Sequence, residues 1–492
     1  MEKQIKCPNI LWIMADQFKY SALDCMWNSV EDAPYITAER NLTPCLDSLA
    51  EDGILFTNAY CPSPVCGPAR ASMKTGKYPP ATGMVQNLTP LKEDNQYLPQ
   101  ILRDNGYETG MAGKLHLFPP EKDYGFTERH LADSPYDVYW DEPRHSEYIS
   151  WLRENYYNDK GVDPVQLFNA DESSYDTNLK QFILGSKFRA NEEHETGWTT
   201  DRTLDFLTDW NGSKPFFYYT SYFGPHQPYG VQPPYSEFVK PESVRLPESY
   251  YYDFKKNAPV YQDRNLTLQE HVRNSLSEQD CKELIANYLG QVHMIDESIG
   301  LLLKKLKEME IYDDMMIIFS ADHGDHLAEH GLFFKGEMYD SCCKVPLIIK
   351  PPRYRGTHVR REVVNTIDLF QTILDTAHCD WKPASGEERD YQSRSLTQLF
   401  AEKHEWENIT YSVFDPCKDR MLCMLRMDDW KLIRGAAGPD SAVYELYDLK
   451  EDPLEHKDCY MDPAYRGIAV KMKALLDEWF HKEYNDYIAA GK

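Results

Sequence analysis

Uninterrupted apolar runs closed by polar residues have to be buried on both faces. The chain has several of them. Pro8–Ala15 (PNILWIMA) ends at Asp16-Gln17, and Met315–Ala321 (MMIIFSA) ends at Asp322-His323-Gly324. Pro215–Ser221 (PFFYYTS) leads to Gly224-Pro225-His226, and Val345–Lys350 (VPLIIK) is a fourth run. A strand with one wet face alternates apolar and polar residues; a run without alternation belongs inside a sheet covered on both sides, as parallel sheets are. Helical stretches lie between the runs, at Thr43–Asp52, Leu98–Asn105, Asp201–Trp210 and Cys281–Glu310. The last repeats apolar residues at helical spacing (Leu284, Tyr288, Val292, Ile295, Ile299, Leu302, Leu306). Strands alternating with helices predict an α/β fold, a large, mostly parallel sheet sandwiched by helices.

Two segments break this rhythm. Residues 119–195 are rich in Asp, Glu, Tyr and Asn and weakly periodic, which reads as an excursion that shapes a pocket rim. After about residue 375, short β-like pieces (Ile409–Val413, Met421–Met427, Trp430–Ile433, Ala442–Asp448) precede a helix at Ile468–Phe480. The expected organisation is an α/β catalytic domain over 1–375 and a smaller α+β domain over 376–492, an antiparallel sheet with a terminal helix. A chain of 492 residues is long enough for two such units.

Charge and hydropathy exclude whole classes of function. With 53 basic and 79 acidic side chains the net charge is −26, which argues against a nucleic-acid partner. No apolar run approaches the ~18–20 residues of a membrane span, so no membrane partner is expected. The start, MEKQIKCPNILWIMAD, does not read as a secretory signal, and the expectation is a cytoplasmic enzyme. The twelve cysteines lack framework spacing and read as free thiols.

Ligands of open α/β sheets bind beyond the carboxyl ends of the strands. Three run ends carry suitable chemistry: Asp16-Gln17, Asp322-His323 and His226. Two carboxylates, an amide oxygen and an imidazole can hold a divalent cation; from the residues alone Ca²⁺, Mg²⁺ and Mn²⁺ all stay open. A second feature is the string Cys66-Gly67-Pro68-Ala69-Arg70-Ala71-Ser72-Met73-Lys74-Thr75-Gly76. Pro68 suits a first helical turn, which puts Cys66 near the N-cap, where free N–H groups favour an anion. Arg70 follows one turn on and can reach back toward it.

That string, Cys66-x-Pro68-x-Arg70 with Ser72 and Thr75-Gly76, resembles the signature of the type I, formylglycine-dependent sulfatases of the alkaline-phosphatase-like superfamily. The resemblance extends along the chain. PNILWIMADQ is similar to the family's first metal strand, and Thr43–Tyr60 to the helix and strand before the nucleophile. Gly106–Gly110 leading to Gly113-Lys114-Leu115-His116 resembles the second signature, and Gly224–Pro228 the Pro-His-x-Pro element. Asp322–Asp325, then Glu329-His330-Gly331 and Lys335-Gly336, resemble the second metal strand and its lysine. Trp430-Lys431, Leu446–Leu449 and Asp452-Pro453 are similar to the C-terminal domain.

The resemblance implies that Cys66 is converted to formylglycine by a maturation enzyme, and that Asp16, Gln17, Cys66, Asp322 and His323 surround one divalent cation, Ca²⁺ first, with Mg²⁺ or Mn²⁺ open. One hydroxyl of the hydrated aldehyde, favoured as alkoxide by the cation and Arg70, attacks sulfur. Lys114 and Lys335 neutralise the sulfuryl oxygens, His226 (with Lys335) protonates the leaving oxygen, and His116 takes the second hydroxyl's proton to expel sulfate. The implied substrate is a small sulfate ester of a sugar or aryl alcohol. The Asp16-Gln17 pair also resembles a branch shared with phosphonate monoester and phosphodiester hydrolases, the alternative reading; Lys114 and His116 resemble the sulfatase side.

Overall fold

The first apolar run forms β1 (Ile10–Asp16), and all seven of its residues are buried. The computed structural model describes residues 7–29, 41–133, 146–158, 160–161, 163–165, 177–185, 191–252, 262–355, 358–383, 392–401, 405–414, 422–438 and 441–489. Met421 and parts of the 119–195 segment lie outside these ranges.

After β1 come α1 (Pro44–Glu51), β2 (Ile54–Tyr60), α2 (Cys66–Thr75), α3 (Leu98–Asp104), β3 (Glu108–Gly113) and β4 (Glu128–Leu131). Then follow α4 (Glu195–Asp209), β5 (Phe216–Pro225), α5 (Glu278–Glu308), β6 (Met316–Ala321), β7 (Leu347–Lys350), β8 (His358–Asn365) and α6 (Leu369–Thr376). The eight strands make one sheet in the order β4-β3-β5-β1-β6-β7-β2-β8. Every neighbouring pair is parallel except those of β7, which runs against both β6 and β2. A parallel return needs a crossover that carries the chain back along the sheet. Residues 322–346 hold only short turns of helix, such as Asp340–Cys343, so β7 starts where β6 stops and runs back.

All four apolar runs become strands. β3 (ETGMAG), β4 (ERHL) and β8 (HVRREVVN) carry glycine or charge and lie in the outer parts of the sheet, which is why no continuous run marks them. β4 falls inside the 119–195 segment, so that segment supplies the sheet's edge as well as a small apolar cluster of Tyr148, Ile149, Leu152 and Trp198. α4 starts at Glu195, six residues before the stretch its apolar periodicity marks. α5 starts with a capping box, Ser277 accepting from the Asp280 N–H while Asp280 accepts from the Ser277 N–H.

β9 (Ile409–Phe414), β10 (Leu422–Met427), β11 (Trp430–Gly438) and β12 (Ser441–Asp448) form an antiparallel sheet in the order β12-β11-β10-β9, followed by α7 (Arg466–Ala489). Strand alternation gives this sheet two apolar faces. Leu422, Met424, Ile433 and Tyr447 join the main core. Cys423, Leu425, Leu432 and Leu446 pack under Met472, Leu476 and Phe480 of α7. Each such side chain contributes ~1.5–3 kcal/mol by leaving water. A buried ammonium of β11 reaches the connection between β6 and β7: Lys431 Nζ lies 2.6 Å from Glu455 Oε1 and 3.0 Å from the Met338 carbonyl, and it pairs with Asp340.

Candidate active site

Because β1, β3, β5 and β6 are parallel, their carboxyl ends open on one side of the sheet. β1 delivers Asp16, β6 is followed by Asp322-His323, β3 by Lys114, and β5 by His226. α2 begins beside them at Cys66, with Val65 as its N-cap.

Arg70, one turn into α2, organises this cluster. Its Nε donates to Asp322 Oδ2 at 2.7 Å and its Nη2 to Asp16 Oδ2 at 3.1 Å; its Nη1 donates to the Lys114 carbonyl at 2.8 Å and Ser221 Oγ at 2.9 Å. All three charged groups are fully buried. A guanidinium is suited to this bridging because its donors are fixed in one plane. Lys114 Nζ adds a second cation on Asp16 Oδ2 at 2.6 Å. Burial and the neighbouring sulfur oppose a charge on Asp16, but Lys114, His226 and Lys335 hold its carboxyl well below the usual range. Burial likewise opposes a charge on Lys114, which Asp16 and Cys66 outweigh.

The Cys66 sulfur lies 3.1 Å from His323 Nε2, 3.1 Å from Lys335 Nζ and 3.8 Å from Asp16 Oδ1. Burial raises a thiol pKa, yet Lys114, Lys335, His323 and the His116 imidazole together bring this one well below its ordinary value. Asp16, Cys66, Asp322 and His323 each offer one ligand atom, all within 4.8 Å of one another and all buried. The donor set fits a divalent cation. His323 Nδ1 pairs with the Gly324 carbonyl at 2.9 Å, the arrangement that leaves Nε2 facing the other ligands, and Asp322 Oδ1 is oriented by the Gln17 and His323 N–H groups at 3.0 and 2.9 Å.

Gln17 stands differently from the other candidate ligands. Its backbone is left-handed (φ 64°), and its amide N donates to Gln227 Oε1 at 3.1 Å and to the Asp325 carboxylate. Its Oε1 accepts from Lys335 Nζ at 2.7 Å. The structure therefore ties Gln17 to Lys335, and through Lys335 to the sulfur. Asp325 also receives Tyr229 and the N–H groups of Leu327 and Phe334, at 2.8 and 3.1 Å for the latter two.

His226 Nδ1 pairs with the Gln227 carbonyl at 2.7 Å. Burial and the positive field of Lys335 and Lys114 lower its pKa. His116 has a left-handed backbone (φ 51°) fixed by Asp133, whose Oδ1 accepts the N–H groups of Leu115 and His116 at 2.6 and 2.8 Å. Its Nδ1 is buried and has no hydrogen-bond partner among the described residues.

All ten residues singled out in the sequence thus belong to one cluster. The residues that hold them were not: Asp325, Asp133 and Ser221 orient Gln17, His116 and Arg70 through hydrogen bonds, and Glu195 orients the Phe223 backbone beside them. Asp325 had a signal, since it closes the Asp322-His323-Gly324-Asp325 string. The others had none, because an Asp in a loop or a Glu in the first turn of a helix is an ordinary occurrence.

Residues 8–379 match the Sulfatase family, and residues 328–482 match the family described as N-sulphoglucosamine sulphohydrolase, C-terminal. The chain belongs to the sulfatase family. It is an enzyme of the sulfuric ester hydrolase class. It is 24% identical to the N-acetylglucosamine-6-O-sulfatase of Bacteroides thetaiotaomicron, over 99% of this chain and 88% of that one. It shares its fold with BT4656, solved with its substrate D-glucosamine-2-N,6-O-disulfate (TM-score 0.73, 22% identity, 98% of each chain covered). It also shares its fold with the phosphonate monoester hydrolase of Agrobacterium radiobacter (TM-score 0.74, 20% identity, 97% and 96% covered). Among the described residues no helix is long and apolar enough to cross a membrane.

Proposed function

We propose that this sulfatase hydrolyses a small sulfate ester of a sugar or aryl alcohol, with residue 66 acting as formylglycine and one divalent cation held by Asp16, Asp322, His323 and residue 66. The observation that carries this reading is the convergence of Lys335 on the Cys66 sulfur at 3.1 Å and Lys114 on Asp16 at 2.6 Å. Two ammonium groups beside one nucleophile position suit an anionic ester. The relatives that act on sulfated amino sugars support the choice of alcohol.

The formylglycine, made from Cys66 by a maturation enzyme, supplies geminal hydroxyls, one to attack sulfur and one to release sulfate without a separate water. The cation, Ca²⁺ in our reading, supplies Lewis acidity at that position. The chain's own residues do the rest. Arg70 pairs with both Asp16 and Asp322 and aims them at the same point. Lys114 and Lys335 face the sulfuryl oxygens, where removing one preorganised donor typically costs ~10²–10³ in rate. His226 delivers a proton to the leaving oxygen from Nε2, the ring nitrogen not held by the Gln227 carbonyl. A bound sulfate ester offsets the field of Lys335 and Lys114 and so favours the protonated imidazole. His116, with its unpartnered Nδ1, takes the proton of the second hydroxyl. The chain divides near residue 375, and the C-terminal unit and the described parts of the 119–195 segment contribute to the pocket rim.

A second reading, phosphonate monoester or phosphodiester hydrolysis at the same site, is favoured by Gln17. The Asp16-Gln17 pair resembles that branch, its neutral amide is tied to Lys335 at 2.7 Å, and a phosphonate monoester or phosphodiester carries the same single negative charge as a sulfate monoester, so the same cationic groups suit it. Measuring kcat/KM on matched aryl sulfate and aryl phosphonate esters separates the two. A sulfate preference upholds the first; a phosphonate preference overturns it. Mass spectrometry of the 59–74 peptide from the native host tests the aldehyde at position 66, and finding only thiol removes the proposed nucleophile.

A further inference from the structure

β5 leaves its ladder just before the site. Ala15 pairs with Tyr222, but Asp16 pairs with Pro225, so Phe223 and Gly224 bulge out of register with β1. On the other side, β3 ends its pairing at Gly113 with Ser221, and the Lys114 N–H closes on the Ser221 carbonyl at 2.8 Å. A bulge frees backbone groups and re-aims side chains. Here the freed Phe223 N–H is taken by Glu195 Oε2 at 3.0 Å, while Glu195 Oε1 is held by Thr199 Oγ1 at 2.6 Å. Glu195 is buried in the first turn of α4, and among the described residues its carboxylate accepts from Thr199 and the Phe223 N–H.

The re-aimed Phe223 ring meets two of the residues to which the proposed chemistry assigns a role. Lys114 Nζ sits 4.7 Å from its centroid, within cation–π range, and the His226 ring lies 4.9 Å away, tilted by 55°. Phe223 itself is only 6% exposed, so it acts as a wall rather than as a binding surface. One side chain thus sets the separation between the ammonium on Asp16 and the imidazole assigned to the leaving group.

We propose that Phe223 and Glu195 are positioning residues for leaving-group protonation: Glu195 clamps the bulged backbone of β5, and the Phe223 ring holds the His226 imidazole in line with the departing oxygen. The inference rests on the reading of His226 as general acid. It predicts a defect confined to esters that need the acid. A 4-nitrophenolate leaves readily without a proton, whereas a sugar or alkyl alkoxide does not.

The test compares kcat/KM for 4-nitrophenyl sulfate and for an alkyl or sugar sulfate in the wild type, Phe223→Leu, Glu195→Ala, Glu195→Gln and His226→Ala, with melting temperatures alongside. Phe223→Leu and Glu195→Ala are expected to lose about 10- to 100-fold more on the alkyl ester than on the nitrophenyl ester, in the direction of His226→Ala. Glu195→Gln keeps an oxygen for the Phe223 N–H and should restore most of the wild-type ratio. Equal losses on both esters in Phe223→Leu, with His226→Ala still discriminating, overturn the inference and leave the role of His226 standing. No discrimination even in His226→Ala overturns both. Phe223→Leu is a conservative apolar change, so it decides the matter even where Glu195→Ala does not fold.

Discussion

Arg70 Nε lies 2.7 Å from Asp322 Oδ2, and both side chains are fully buried. Breaking such a pair by removing one partner typically costs ~3–5 kcal/mol, because the remaining charge stays desolvated. A lysine at position 70 keeps the charge but cannot bridge Asp322, Asp16, Ser221 and the Lys114 carbonyl at once. Arg70→Lys is therefore expected to lower the melting temperature by several degrees and to lose activity by ~10²-fold or more. Calorimetry and steady-state kinetics on one preparation check both.

Lys114→Met replaces the aliphatic stem but removes a buried ammonium from Asp16, so it should lower the melting temperature as well, with Arg70 still pairing Asp16. The loss should appear in kcat/KM, by ~10²–10³-fold on a sulfate ester. Lys335→Ala should cost a similar factor and also free the Gln17 amide oxygen it now binds. A drop of less than tenfold in either variant would contradict the proposed neutralising roles.

Gly113 has φ 95°, and a Cβ there would stand 1.9 Å from the Ser221 carbonyl oxygen. Neither the backbone conformation nor the space admits a side chain. Gly113→Ala is expected to displace β5 from β3 and with it Lys114 and Ser221. The measurable outcome is a large fall in melting temperature or in soluble yield, together with loss of activity.

Glu455 links stability to pH. Burial pushes its carboxyl up to about 8 despite Lys431, because Asp340 competes for the same ammonium. Lys431 keeps Asp340 ionised and below its usual range. Between about 4.5, the ordinary carboxyl value, and about 8 the folded chain holds a proton on Glu455 that the unfolded chain does not. Stability from this group is therefore full at the acid end of that window and is lost as pH rises through it. Glu455→Gln should flatten the decline in melting temperature across that range; an unchanged slope would refute the assignment.

Removal of the divalent cation by a chelator should lower the melting temperature and abolish turnover, because the two buried carboxylates Asp16 and Asp322 then depend on Arg70 and, for Asp16, Lys114 for their compensation. At a cation concentration 100 times Kd the lost stabilisation is ~2.7 kcal/mol. Titrating Ca²⁺, Mg²⁺ and Mn²⁺ back and following both melting and activity ranks the metals.

Chain chemistry was enough to announce the α/β class and Asp16, Gln17, Cys66, Arg70, His226, Asp322 and His323, while Lys114, His116 and Lys335 came from the resemblance to the sulfatase family. The unbroken run of β1, with Asp16 at its end, cannot be buried in any other way, and the spacing from Cys66 through Pro68 to Arg70 is one helical turn of a site. Local order also announced the small sheet as four short β-like pieces followed by a helix. Other features depend on partners distant in the chain. β3, β4 and β8 are strands because their neighbours offer ladder bonds, and β7 runs backward because residues 322–346 never cross the sheet. Gln17 binds Lys335, 318 positions away, and Glu195 catches an N–H that exists free only because β5 bulges. Sequence periodicity records which face of an element is apolar; it carries no trace of which distant donor a folded backbone will leave unpaired.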